Sequence, residues 1–456
     1  MQNDKLKLFR SLNLDNSRNK LLAKNIGLTS LFQFGSVFIS LVLLPISLSL
    51  LPVEVYGIWL TISSVLLWLG YLDLGLGSGL KNKLSEAIAK SDFIRAKRLI
   101  STAYFTIGLI MSSVATLFFL FSKYLNYVRI FGSPDSSIIN SQMLFSTVNL
   151  VAYVFFLRFI FQLINPIMDA MQKLFWSKII FFISQLVVLA ALLVVKFFVE
   201  PNIIILGLIF SLSPVICLLI GSLVFFWKHK YLRPSFFDID LSLVKQIYSI
   251  GFKFLLIQIN MLILFQSSNF IILNFIGSSE VVKYNFAFSL FSMMNVAFST
   301  IAAPYWAAYA NAWFQKDINW IKSAQKKLFY IWLGIVSVSF FVLLFSDFIY
   351  YTWVGNRVNI PFSLSLSIFV YMSLFTFGLI YNTFVNSTGK VLLQTISLTI
   401  LTMLFVPLVI FFINVLQLGL NSIPLALSVV ALYTVIIAPL QSFKLLTGSA
   451  KGILNK

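Results

Sequence analysis

Ala87-Ile88-Ala89-Lys90-Ser91-Asp92-Phe93-Ile94 recurs loosely in the second half of the chain as Ala312-Trp313-Phe314-Gln315-Lys316-Asp317-Ile318-Asn319. Asn165, followed by Lys173, recurs as Asn382 and Lys390, and Glu54 with Tyr56 as Glu280 with Tyr284. The echoes keep one order, at offsets of roughly 217 to 228 residues, as an internal duplication requires. Each is weak alone; three in register carry the reading. In an apolar chain, two related bundles that rock around a shared site are the means by which secondary transporters obtain alternating access.

Composition fixes the class. The chain has 456 residues, of which 59% are hydrophobic, 10% are charged and 49 are Phe. A soluble domain carries about 25% charged residues. No water-soluble core hides so much apolar surface, so the medium is lipid. The net charge of +19 does not call for nucleic acid. Most Lys and Arg lie in short loops on alternate sides of the apolar segments, where anionic membrane lipids are their natural partner. Cys217, the single cysteine, lies in an apolar segment and can form no internal disulfide.

About twelve spans are expected, at 25–51, 55–80, 100–122, 142–166, 175–198, 203–227, 248–276, 284–309, 328–350, 361–385, 391–414 and 423–446. One side collects the N-terminal arm, the Lys81–Arg98 loop, Lys173, the run Lys228, Lys230 and Arg233, the Lys316–Lys327 group, and Lys390. The other side holds only Lys123, Arg129, Lys196, Lys283 and Arg357. This asymmetry puts both termini in the cytoplasm. The longest cytoplasmic link, 228–247, separates an N-lobe, 1–230, from a C-lobe, 231–456. Each lobe enters from the same side, so an axis along the membrane normal relates them.

Several motifs are set aside. Gly75-Leu76-Gly77-Ser78-Gly79 lacks the strand that a phosphate-binding glycine loop follows, and its spacing suits close helix packing. His229, between Lys228 and Lys230, reads as a solvated loop residue. With no second histidine and no Cys cluster, no metal site is expected, and no Walker loop marks ATP hydrolysis. No cofactor and no catalytic residue are expected.

What remains is polar chemistry at membrane depth. Arg158 lies within Phe155-Phe156-Leu157-Arg158-Phe159-Ile160-Phe161. It either snorkels to the headgroups or faces a wet cavity. Asp73 stands at a matching depth on the second span, near enough in register to meet it. The corresponding places in the other half, near Phe375 and Ser299, are uncharged, so neither residue is needed merely for the shared fold. The seventh and eighth spans carry Gln258, Asn260, Gln266, Asn269 and Asn285, with Lys253 at the entrance. Such amides either join helices in lipid or bind sugar hydroxyls in a cavity. Both readings stay open. The candidate substrate-binding set is therefore Arg158, Lys253, Gln258, Asn260, Gln266, Asn269 and Asn285, with Asp73 for coupling or gating.

Val55-Tyr56-Gly57-Ile58-Trp59-Leu60, followed by Leu69-Gly70-Tyr71-Leu72-Asp73-Leu74-Gly75-Leu76-Gly77-Ser78-Gly79-Leu80-Lys81-Asn82, resembles the second-span signature of the O-antigen and polysaccharide flippases, the Wzx family. Asn386-Ser387-Thr388-Gly389-Lys390 resembles that family's turn between its tenth and eleventh spans. The resemblance implies membership of a superfamily shared with multidrug extruders and the lipid II flippase. It implies an all-α polytopic membrane protein, with two pseudo-symmetric six-helix lobes around a central cavity. It further implies a cargo of oligosaccharide on undecaprenyl diphosphate, moved to the outer leaflet of a bacterial inner membrane. A proton or sodium gradient would drive it, beside other polysaccharide-assembly proteins. A multidrug antiporter of the same fold, or a membrane-embedded glycan polymerase or ligase, are the alternatives. The second would need a larger outer loop than 123–141 provides.

Single-cysteine labelling tests the topology. Probes placed beside Lys90, His229 and Lys316 should react from the cytoplasmic side only, and reaction of the 228–247 link from outside would overturn it.

Overall fold

In hydrocarbon a backbone N–H or C=O has no water to bond, so each segment that enters lipid must close its own hydrogen bonds. The computed structural model describes residues 31–69, 76–131, 140–171 and 173–455, and its described elements are helices. The first are α1 (Leu31–Leu50), α2 (Val53–Leu69), α3 (Leu76–Ala89), α4 (Phe93–Ser122) and α5 (Tyr127–Phe131). Next come α6 (Ser141–Gln162), α7 (Ile164–Ala170), α8 (Leu174–Phe198), α9 (Ile203–Lys228) and α10 (Ser242–Phe275). The remainder are α11 (Ser278–Phe314), α12 (Ile318–Leu344), α13 (Ser346–Val354), α14 (Phe362–Ser387), α15 (Leu392–Asn414) and α16 (Ser422–Leu446).

Among the described residues, 10 helical segments are long and apolar enough to cross a membrane. They coincide with ten of the expected spans. The expected second span is described as α2 and α3, on either side of 70–75, and α3 carries Lys81, Lys83 and Glu86. The expected seventh is α10, helical over 34 residues. The fourth span runs further than its sequence suggests, through α6 and α7 to Ala170.

The repeated octapeptide folds twice into the same corner. Ser91 and Lys316 both take left-handed backbone, at φ 57° and 59°. The next residue then caps a long helix: Asp92 accepts from Arg95 N at 3.0 Å, and Asp317 from Trp320 N at 3.0 Å. The amides of those aspartates bond back to Ala87 O and Ala312 O, both at 2.9 Å. A left-handed residue closes one helix, and an aspartate satisfies orphan amides of the next.

The described chain forms two compact units. One takes the described parts of Met1–Leu51, Leu69–Asn126 and Asn140–Leu256; the other takes those of Pro52–Trp68, Tyr127–Ile139 and Ile257–Lys456. In the second unit Phe298, Tyr309, Ile321, Leu328 and Phe384 form a core with no exposure, and the Tyr309 and Phe384 rings meet edge to face at 5.6 Å. The helix exteriors remain apolar. In α12 only 11% of the span is buried, and Phe119, Phe197, Phe341 and Met403 point outward. Such faces are stable only against lipid.

Close packing is set by glycine. A Cβ on Gly79 would stand 2.0 Å from Ile247 O, so α3 and α10 touch backbone to backbone there, as the glycine spacing led one to expect. Gly57 meets Ser278 O in the same way, at 1.9 Å, bringing α2 onto the start of α11. Gly79→Val should cost about 1–3 kcal/mol through overpacking, read as a lower melting temperature in detergent. Gly108→Ala, where a Cβ would meet nothing within 4 Å, should leave melting unchanged or raise it.

Candidate functional site

Arg158 is placed by α6. Asn140 caps that helix by accepting from Gln142 N at 3.0 Å. Phe155, Phe156 and Phe159 are buried, and the Phe118 ring lies 6.0 Å from Phe156, fixing α6 against α4. Because the span continues to Ala170, Arg158 lies about 18 Å of helix rise from that end and about 26 Å from Ser141. The expected end of the span at 166 lies only eight residues, about 12 Å, beyond it.

The guanidinium is half-buried, and its Nε is enclosed with no hydrogen-bond partner. Its one described contact is the Phe155 ring, 5.6 Å from the guanidinium carbon. A face-on ring offers some electrostatic attraction, but it fills none of the five N–H donors. No described carboxylate forms an ion pair with it. A guanidinium at such depth is best satisfied by an anion or ordered water. Asp73, the expected companion, lies outside the described residues.

The amides divide into two sets. Asn260 donates from Nδ2 to Thr399 Oγ1 at 2.9 Å, joining α10 to α15. Asn285 donates to Asn269 Oδ1 and to Val281 O, both at 2.8 Å. Asn269 in turn reaches Leu60 O at 3.5 Å. These contacts tie α2, α10 and α11 within one unit. In this state Asn260, Asn269 and Asn285 hold helices together, and the structure brings the last two side by side. Lys253, Gln258 and Gln266 lie on α10, and their side chains are outside the described set.

Sequence reasoning passed over Asp169. The expected span ended at 166, leaving this acid in a loop. It instead closes α7, where Lys81 Nζ approaches its Oδ2 at 3.2 Å and Ser177 Oγ its Oδ1 at 3.4 Å. An acid within a few residues of an apolar run was the available signal. His229 was also misread. It is partly buried, its ring stacked on Phe225 at 4.5 Å, with Nδ1 3.0 Å from Phe225 O and Nε2 2.9 Å from Lys173 Nζ. Since the ammonium can only donate, Nε2 accepts and Nδ1 carries the proton.

Glu86 lies on α3, where hydrogen bonds from Lys90 and then Lys83 pull its carboxyl down to about 2. Among the described residues, no three His, Cys, Asp or Glu side chains gather as a metal site needs.

Residues 22–308 match the family described as "Polysaccharide biosynthesis protein". A Salmonella typhi protein named "Putative O-antigen transporter" is 23% identical over 367 residues, covering 78% of this chain and 80% of that one. Among solved structures, a multidrug resistance MATE family transporter of the MOP superfamily aligns in its inward-facing form with a TM-score of 0.72 at 15% identity, over 92% of this chain and 95% of its own. The outward-facing form of such a transporter gives 0.66 at 14% identity, over 94% and 97%. A MOP superfamily transporter from Pyrococcus furiosus, reported with a binding pocket of reversed polarity, gives 0.63 at 14% identity, over 94% of each chain. The fold is thus MATE-like: all-α and multi-pass, as the resemblance implied.

The Asn269–Asn285 pair has a measurable coupling. A double-mutant cycle with alanine at each position should return about 0.6 kcal/mol, and no more than about 1.7 kcal/mol, the range for hydrogen bonds inside membrane proteins. A value near zero would mean that the amides contribute nothing as helix glue.

Proposed function

We propose, from the premise that this chain belongs to the polysaccharide biosynthesis protein family, that it is a flippase for undecaprenyl-diphosphate-linked oligosaccharide. The cargo passes from the cytoplasmic to the periplasmic leaflet of a bacterial inner membrane by alternating access. The observation that carries this reading is Arg158: a guanidinium deep in an apolar span, with an enclosed Nε and no anionic partner among the described residues. A diphosphate supplies the missing partner, because its oxygens match the planar fork of donors.

The remaining roles follow from the chemistry of the cargo. Lys253 adds a second cation toward the entrance. Gln258, Asn260, Gln266, Asn269 and Asn285 offer donors and acceptors to sugar hydroxyls. Those that join helices in the present state would exchange their partners as the helices move. Asp73 acts in gating or in coupling to a proton or sodium gradient. The lobes 1–230 and 231–456 are the moving halves, with the termini cytoplasmic. The polyprenyl tail stays in lipid throughout. No bond is made or broken, so the protein is a carrier rather than an enzyme.

Arg158→Ala should abolish translocation of lipid-linked oligosaccharide in reconstituted vesicles while leaving insertion and melting unchanged. Arg158→Lys should retain part of it, since charge survives but the planar fork does not. Full transport by the alanine variant would remove Arg158 from the mechanism. In cells, loss of the protein should trap the glycolipid on the inner leaflet and remove surface polymer. Intact polymer with new sensitivity to cationic dyes would move the cargo to the multidrug class.

A further inference from the structure

A groove of about 320 Å³ opens along α8 and α9 within one compact unit. Its walls are aliphatic: Ile180, Ile183, Ile220 and Val224, joined by Cys217 and Gly221. Gly221 matters to its depth, since a Cβ there would already lie 2.6 Å from Ile180 Cδ1. Ile183, Ile220 and Val224 are 45%, 54% and 47% exposed, so the groove faces outward along the apolar flank. At about 30 Å³ for each water-sized group, it holds roughly ten such groups, a length of hydrocarbon chain.

One end of this groove is cationic. Lys173, Lys228 and His229 line it there, beside Trp176. Lys228 Nζ stands 5.9 Å from the Trp176 ring and Lys173 Nζ 6.0 Å from Phe225. Lys173 donates one hydrogen to His229, leaving its other donors free for a ligand. Helix α8 begins at the same place, and no side chain at its N-cap, Lys173, accepts from the first-turn amides. The uncapped amides add to the positive field. Asp169, the acid nearby in sequence, is already engaged by Lys81 and Ser177. Trp227 and Tyr231 are exposed beside this end, as aromatic side chains are at the headgroup level.

We infer that this groove is a binding site for one anionic phospholipid, its acyl chain along α8 and α9 and its headgroup phosphate between Lys173 and Lys228. Neither wall nor mouth alone requires this occupant. A purely apolar groove would take any tail, and a bare pair of lysines would take any counterion. The apolar slot ending in two ammonium groups fits an amphiphile with a negative head. The site is independent of the cargo assigned above.

Native mass spectrometry of the full chain, titrated with phosphatidylglycerol or phosphatidylcholine, tests it. The wild type should retain one phosphatidylglycerol in preference to phosphatidylcholine. Lys173→Gln and Lys228→Gln should each weaken that retention about fivefold, the worth of one basic residue at an anionic headgroup. Lys228→Arg, which keeps the charge, should preserve it and so separates loss of charge from loss of fold. Ile183→Trp, which fills the slot from its exposed rim, should also reduce retention. Lys196→Gln, near the far end of α8, should change nothing. Equal retention of the two lipids, or equal weakening by Lys196→Gln, would overturn the proposal. Preferential retention of undecaprenyl phosphate over phosphatidylglycerol would overturn it too, by assigning the groove to cargo.

Discussion

Everything in this chain depends on the cost of leaving a polar group without a partner in hydrocarbon. Helices answer that cost for the backbone. For side chains there are three answers, and the protein uses all of them. Asn260, Asn269 and Asn285 find partners on neighbouring helices. Asp169 finds Lys81 near the end of α7. Among the described residues Arg158 finds the face of Phe155. The first two answers spend their hydrogen bonds on structure. The third leaves Nε without a hydrogen bond among the described residues, and on that difference the role proposed for Arg158 rests.

The same constraint shapes the corners. Helices that cross lipid must turn outside it, and each turn leaves orphan amides. The Asp92 and Asp317 corners satisfy them identically, each preceded by a residue in left-handed backbone. Ser91 and Lys316 are not glycines, so each carries some strain. That the strain occurs twice, in the two copies of one octapeptide, ties the sequence duplication to a shared local structure. Elsewhere glycine removes side chains where backbones touch, at Gly57 and Gly79. Lipid supplies no hydrophobic drive between helices, so such close contact and dispersion hold them instead.

Much of the fold was legible because a membrane span is a long, one-dimensional signal. Spans read as 175–198, 203–227, 361–385 and 391–414 appear as Leu174–Phe198, Ile203–Lys228, Phe362–Ser387 and Leu392–Asn414. Legibility failed where polar residues interrupt the run. The fourth span was cut short before Asp169, which moved Arg158 nearer the end of its helix than it lies. Asp73 fell within residues that the structure does not describe. The amides were legible as polar residues at depth, but not by their use. Whether an Asn faces a cavity or a neighbouring Asn depends on helix rotation, and the sequence carries no record of that beyond a weak periodicity. His229 shows the same limit: two flanking lysines suggested solvent, whereas Phe225, four residues back in the last turn of α9, covers the ring.

The sequence by itself determined the medium, the all-helical class, most span positions and the duplication, because each follows from composition or from order along one chain. It also carried the second-span signature that pointed to the family. Only the tertiary structure decided which polar groups are paired. It placed Asn285 against Asn269, Lys81 against Asp169 and Lys173 against His229, pairs separated by 16, 88 and 56 positions. Among the described residues it gave Arg158 Nε no such partner. The physical reason is that burial and pairing belong to the packed helices, whose rotation and depth are set by contacts distant in sequence.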